Sequence, residues 1–156
     1  MDASDPADAA VDAALELAHA EGSTLCFCHV IDVKETLLRA AKDGQDAAPI
    51  LHEMRDQASA LLAAAVSRAH AQQITTRTRI VEEAPIEGIL QAARAEEASA
   101  IVIGTHGRRG IRRLILGSVA EGVVRHAELP VLVTPTRPPL PLANLALSGE
   151  AVQHRS

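Results

Sequence analysis

The chain contains no tryptophan and no tyrosine, and its single phenylalanine is Phe27. Proteins that grip single-stranded nucleic acid stack bases on aromatic faces, so that class of function is nearly excluded. The core must instead be assembled from Ala, Leu, Ile and Val. Basic charge is also scarce: 15 basic against 20 acidic residues leave a net charge of −5. A protein that coats nucleic acid through bulk charge would show the opposite balance, although a local basic patch is compatible with it. Two cysteines supply no disulfide framework and fit a reducing cytoplasm. No apolar run approaches the roughly 18 residues of a membrane span. The acidic opening Met1-Asp2-Ala3-Ser4-Asp5 lacks the basic and then apolar regions of a secretory signal. The expectation is a small cytoplasmic domain with neither a nucleic acid nor a membrane as partner.

What is present is an alternation of helical and strand periodicities. Asp5-Pro6 suits a helix start, Val11, Leu15 and Ala18 lie on one helical face, and Gly22 suits the stop. Thr24 to Ile31 is near-continuously apolar, as a strand buried on both faces would be. A variable stretch from Asp32 to Ala48 holds a short helical piece and the Asp43-Gly44 turn. Pro49 begins a long predicted helix to about Ala71, with Leu51, Met54, Ala58, Leu61, Leu62 and Ala65 inward. Ile74 to Val81 alternates Thr and Arg with apolar residues, as a strand with a solvated edge does. Glu83-Ala84-Pro85 starts a further helix carried by Ile86, Ile89, Leu90 and Ala93. Ser99 to Ile103 is a short apolar strand that runs into Gly104. A helix is predicted from Ser118 to His126, with capping-box spacing between Ser118 and Glu121. Pro130 to Val133 is the last strand. The expected division is a domain over 1–134 and a flexible tail over 135–156, which carries Pro138-Pro139-Leu140-Pro141.

Strands alternating with helices imply βαβ units around a parallel sheet. Ligands of such sheets bind beyond the carboxyl ends of the strands, which directs attention to Val30 and to Gly104 onward. The loop Gly104-Thr105-His106-Gly107-Arg108-Arg109-Gly110 leaves a buried strand, and Gly117-Ser118 closes the segment at a helix start. Glycines there permit positive φ and close backbone approach. Successive free N–H groups, with the helix dipole behind them, suit a di- or triphosphate. A tight turn followed by a capped helix accounts for the same residues. The spacing is not G-x-G-x-x-G, and no Gly-Lys-Ser/Thr occurs, since the only lysines are Lys34 and Lys42.

The pattern Gly104-x2-Gly107-x9-Gly117-Ser118 resembles the ATP-binding signature of the universal stress protein family. Asp2-Ala3-Ser4, Cys28-His29-Val30-Ile31-Asp32 and Leu129-Pro130-Val131-Leu132-Val133 extend the resemblance from Asp2 to about Thr134. It implies a three-layer α/β/α fold of the adenine nucleotide alpha hydrolase type, with a parallel five-stranded sheet in the order 3-2-1-4-5. It further implies that Gly104, Gly107, Gly117, Ser118 and Val119 hold phosphates and ribose of ATP, accompanied by Mg²⁺. Asp2 would reach the nucleoside and Val30 would pack against adenine. A homodimer through the edge strand Val131–Val133 and an unidentified protein partner come with the same resemblance. The family begins with a buried Ile-Leu-Val-x-x-Asp strand, and this chain starts at the Asp. Four or five absent core side chains, at ~1.5–3 kcal/mol each, come to roughly 6–15 kcal/mol, comparable to a whole domain's stability of about 5–15 kcal/mol. The expectation is therefore that Met1 is an internal start and that, without the strand, the sheet has a gap.

Other residues offer weaker chemistry. Arg108, Arg109, Arg112 and Arg113 form the basic cluster, suited to outer phosphates or to an acidic partner, and equally to a solvated loop face. His106 has no neighbour in sequence that would orient it as a base. Cys26 and Cys28 share one strand face with His29 on the other, and no second ligand cluster closes a metal shell. They are expected to be buried core thiols. Glu82-Glu83 and Glu96-Glu97 are expected to be solvated helix ends rather than an acid–base pair. No catalytic or metal residue is assigned. Three readings remain open: a nucleotide-binding regulatory protein, a slow ATPase or nucleotidyl-transfer enzyme, and a dimeric interaction module without nucleotide.

Overall fold

The computed structural model describes residues 6–105 and 116–135. Asp2, His106, Gly107, Arg108 and the tail from 136 onward lie outside the described residues. In chain order the elements are α1 (Pro6–Glu21), β1 (Leu25–Ile31), α2 (Val33–Lys42), α3 (Ala47–His70), β2 (Thr76–Glu82), α4 (Pro85–Ala95), β3 (Ile101–Gly104), α5 (Ser118–His126) and β4 (Val131–Thr134).

Local chemistry explains most boundaries. α1 is followed by Gly22 at φ 65°, a left-handed turn that glycine adopts without steric cost. The Asp32 carboxylate accepts the Glu35 N–H at 2.8 Å and caps α2. α3 starts at Ala47, two residues before the predicted Pro49, because Asp46 accepts the Ala48 N–H at 3.0 Å. Proline is tolerated there because a first-turn N–H has no helical acceptor to lose. Leu61, expected inward, is 60% exposed, while Leu51, Ala58, Leu62 and Ala69 are the buried stripe. Steps of seven, four and seven residues keep that stripe on one face, and Leu61 falls about 100° away from Leu62.

The strands form two parallel pairs. β1 pairs with β2 from Leu25–Thr76 to Ile31–Glu82, and β3 pairs with β4 from Ile101–Val131 to Gly104–Thr134. The expected continuous five-stranded sheet is thus represented by four strands in two sheets among the described residues.

Phe27 and Ile31 turn one face of β1 toward α3: Phe27 joins Leu15, Ala18, Leu62, Ala69 and Ile74, and Ile31 joins Leu51 and Ala58. The opposite face carries Val30 against Gly88 of α4. A third cluster of Ala93, Ile101 and Val123, flanked by Ile103, Val119 and Val131, binds α4 and α5 to β3 and β4. α1 touches strands of both pairs, and Arg68 of α3 holds it through Asp8 at 3.1 Å and through Asp12. Among the described residues no helix is long and apolar enough to cross a membrane.

Candidate functional site

The carboxyl ends of β3 and β4 are where the chain changes from aliphatic to polar. Ile101-Val102-Ile103 is followed by Gly104-Thr105, and Val131-Leu132-Val133 by Thr134. Thr105 and Thr134, 6% and 7% exposed, are the buried polar residues of the described chain. The Thr134 carbonyl accepts the Thr105 N–H at 2.9 Å and the Thr105 hydroxyl at 3.3 Å. The Thr134 hydroxyl donates to the Ile103 carbonyl at 3.4 Å. Burial of hydroxyls without partners is unfavourable, and here both have one. In the sequence they stand out only as polar residues where aliphatic runs end: Thr134 directly after Val133, and Thr105 after Ile103-Gly104.

The start of α5 departs from expectation. The N-cap is Gly117, with no side-chain cap, and Ser118 is already the first helical residue. The Glu121 N–H reaches the Gly117 carbonyl at 2.9 Å, whereas the Glu121 carboxylate accepts from Arg125 at 2.9 Å. The expected Ser118–Glu121 capping box is therefore not made. A helix begins with N–H groups that have no acceptor within it. Among the described residues, those of Ser118, Val119 and Ala120 have none from a side chain either.

The glycines of the motif also do something other than turn. Gly117 lies at φ −61° and ψ 152°, which any residue adopts, and Gly104 ends a regular strand. The described glycines with positive φ are Gly22 and Gly44. The expected conformational role thus does not hold at Gly104 and Gly117.

Ser118 is exposed, whereas the Val119 side chain packs beside Ile103 in the third cluster, so only its backbone faces outward chemistry. Gly104 and Val119 therefore flank the same aliphatic cluster at the end of β3. Val30 belongs to the other strand pair. Its methyls press on Gly88, where an added Cβ would stand 2.7 Å from Val30 Cγ1, and α4 meets α5 where Ile86 lies against Gly122. α4 is thus the bridge between Val30 and the α5 end of the site.

Cys26 is half-buried and Cys28 exposed, not the pair of buried core thiols expected. Partial desolvation, reinforced by Cys26, pushes the Cys28 thiol up to about 11, so it stays a protonated, poorly nucleophilic group at neutral pH. Among the described residues no three His, Cys, Asp or Glu side chains gather as a metal site. Glu82, Glu83 and Glu97 are exposed, as expected of solvated ends, whereas Glu96 is half-buried, and Glu82 and Glu96 each hold arginine. Glu82 binds Arg55 at 2.5 and 3.0 Å, and Glu96 binds Arg79 at 2.5 Å and Arg77 at 3.1 Å. These hydrogen bonds hold both carboxyls below the usual carboxylate range. They tie β2 to its helices and have no part in the site.

Comparison with known proteins follows the same segments. The sequence pattern described as "Universal stress protein family" matches residues 1–135. A protein of that family from Burkholderia pseudomallei, known as a crystal structure, is 34% identical; the match covers 86% of this chain and 91% of that one, at a TM-score of 0.68. A crystal structure of a universal stress protein in complex with cAMP is 28% identical and covers 88% of this chain and 93% of that one, at a TM-score of 0.55. A universal stress protein of Methanocaldococcus jannaschii is 42% identical over 60 residues, 38% of this chain. The chain spans between 33% and 51% of the length of the curated relatives it matches first.

Proposed function

Because the chain belongs to the universal stress protein family, we propose that it is an ATP-binding regulatory protein of the universal stress response, with the nucleotide held by the segment Gly104-x2-Gly107-x9-Gly117-Ser118. The observation that carries this reading is the α5 start. Gly117 needs no special backbone angle, caps nothing with a side chain, and precedes three N–H groups with no acceptor among the described residues. That combination suits an anion pressed against bare backbone at the positive end of a helix. A relative solved in complex with cAMP supports an adenine nucleotide as the ligand class.

In this reading the N–H groups of Ser118 and Val119 bind phosphate oxygens, and Gly104, Gly107 and Gly117 admit the phosphates to the backbone. Arg108 meets the outer phosphates, accompanied by Mg²⁺. Asp2 reaches the nucleoside, and Val30, held by Gly88, offers an apolar edge to the base. Occupancy alters the surface offered to a protein partner. The edge strand β4, with Leu132 exposed between Val131 and Val133, serves a homodimer in the cytoplasm.

Thermal unfolding in Mg-ATP tests the reading. Ligand that binds only the native state adds about 2.7 kcal/mol at a hundredfold excess over Kd. The midpoint should rise in the wild-type chain and stay fixed in Gly117→Val, whose backbone angles a valine tolerates. An unchanged wild-type midpoint overturns nucleotide binding and leaves a dimeric interaction module.

A further inference from the structure

From the pair Thr105 and Thr134 we infer a positioning device: their hydroxyls fix the Gly104 peptide at the end of β3 so that a phosphate meets it in one orientation. The inference rests on the nucleotide reading for its ligand and on the observed geometry for everything else.

The β3–β4 ladder is two strands wide and four residues long. The end of such a ladder frays readily, because few contacts oppose local opening. Gly104 is its last registered residue and has no side chain with which to hold itself. Three hydrogen bonds cross between the strands at this end. Thr105 gives its N–H and its hydroxyl to the Thr134 carbonyl, at 2.9 and 3.3 Å, and Thr134 returns its hydroxyl to the Ile103 carbonyl at 3.4 Å. Gly104 sits between the two residues, Ile103 and Thr105, that are caught.

Shape alone does not require threonine here. Valine has the same branched outline, and the neighbouring positions Val102, Val131 and Val133 show that these strands accept it. Both side chains are more than nine-tenths buried, so neither hydroxyl is there for solvation. What threonine adds is a cross-strand bond at the point where the chain leaves the sheet, and β-branching limits each hydroxyl to few rotamers.

The test uses the full chain with Thr105→Val, Thr134→Val and the corresponding serine variants, each studied well below its melting midpoint. Two quantities are read: Mg-ATP affinity, and hydrogen exchange at the Thr105 amide, which bonds the Thr134 carbonyl. The valine variants should weaken ATP binding about threefold to tenfold, the worth of one hydrogen bond, and accelerate exchange at that amide. Thr105→Ser and Thr134→Ser should restore both. Valine variants that shift only the melting midpoint, with affinity and exchange unchanged, would reduce the threonines to ordinary core residues and overturn the inference. A wild-type chain that does not bind ATP removes the nucleotide reading, and exchange then decides the clamp alone. Faster exchange rescued by serine upholds it, and unchanged exchange rejects it.

Discussion

The β1–β2 pair and the β3–β4 pair are both parallel and both backed by helices, yet they are held together differently. β1–β2 runs for seven residues in register, and β2 is exposed along most of its length. Its outer strand is tied down by charge: Glu82 to Arg55, and Arg77 and Arg79 to Glu96. β3–β4 runs for four residues, and no ion pair reaches either strand among the described residues. An aliphatic cluster and two buried threonines do the work instead. In the first pair, polar side chains satisfy one another and secure an edge. In the second, backbone N–H groups at the start of α5 have no partners among the described residues, and threonine hydroxyls bond across the strand ends. Polar groups with nothing to do structurally are available for a ligand.

The largest expected effects compare the two cores directly. Ile31 and Val123 are both fully buried. Ile31→Ala should cost about 2–5 kcal/mol. Val123→Ala, which removes less, should cost about 2 kcal/mol from two methyl groups and the cavity they leave. If the two pairs fold as one unit, each substitution lowers a single transition. Two separate transitions, one per substitution, would make the pairs independent.

Gly88→Ala tests the bridge between them. Alanine is worth about 1 kcal/mol over glycine inside a helix, but its Cβ would lie 2.7 Å from Val30 Cγ1. Overpacking of this kind costs about 1–3 kcal/mol, so a net loss of stability is expected. Val30→Ala in the same chain should recover it. A Gly88→Ala protein that melts higher than wild type would break the proposed packing of α4 on β1.

A smaller, pH-dependent effect should come from the β1–β2 pair, which carries His29 and the arginines that hold Glu96. Partial burial lowers the His29 pKa below its ordinary 6.5. The folded state therefore resists a proton that the unfolded state accepts, so stability falls as pH drops below 6.5. Substituting Gln for His29 should flatten that part of the melting-midpoint profile. Glu96, held low by its bonds to Arg79 and Arg77, contributes stability above its ordinary 4.5 that disappears as pH falls through the lowered value. Glu96→Gln should lower the midpoint slightly at neutral pH, and less so in high salt. The difference from wild type should close in acid.

Alternating periodicities made the α/β class legible, and α5 was predicted with both of its boundaries, because an apolar stripe every three or four residues is a local signal. The glycine spacing made the candidate site legible in the same way. What escaped was anything decided between elements. The Arg77–Arg79–Glu96 tie needs β2 to lie beside the end of α4, and no spacing within β2 alone reveals it. The Thr105–Thr134 clamp needs two strands 29 residues apart in register. Ser118 matches a capping box in sequence, yet the helix begins one residue earlier than that motif requires, and Glu121 bonds Arg125 instead. Cys28 shares the strand face of Val30, but its outlook depends on how far α4 extends over that face.

The most direct test of the division between a structural pair and a ligand-bearing pair is to follow backbone amide shifts during a titration with Mg-ATP. The amides of Gly104, Thr105, Gly117, Ser118 and Val119 should move and saturate together, while those of Thr76–Glu82 stay where they are. Shifts concentrated in β2, or none at the start of α5, would contradict the account.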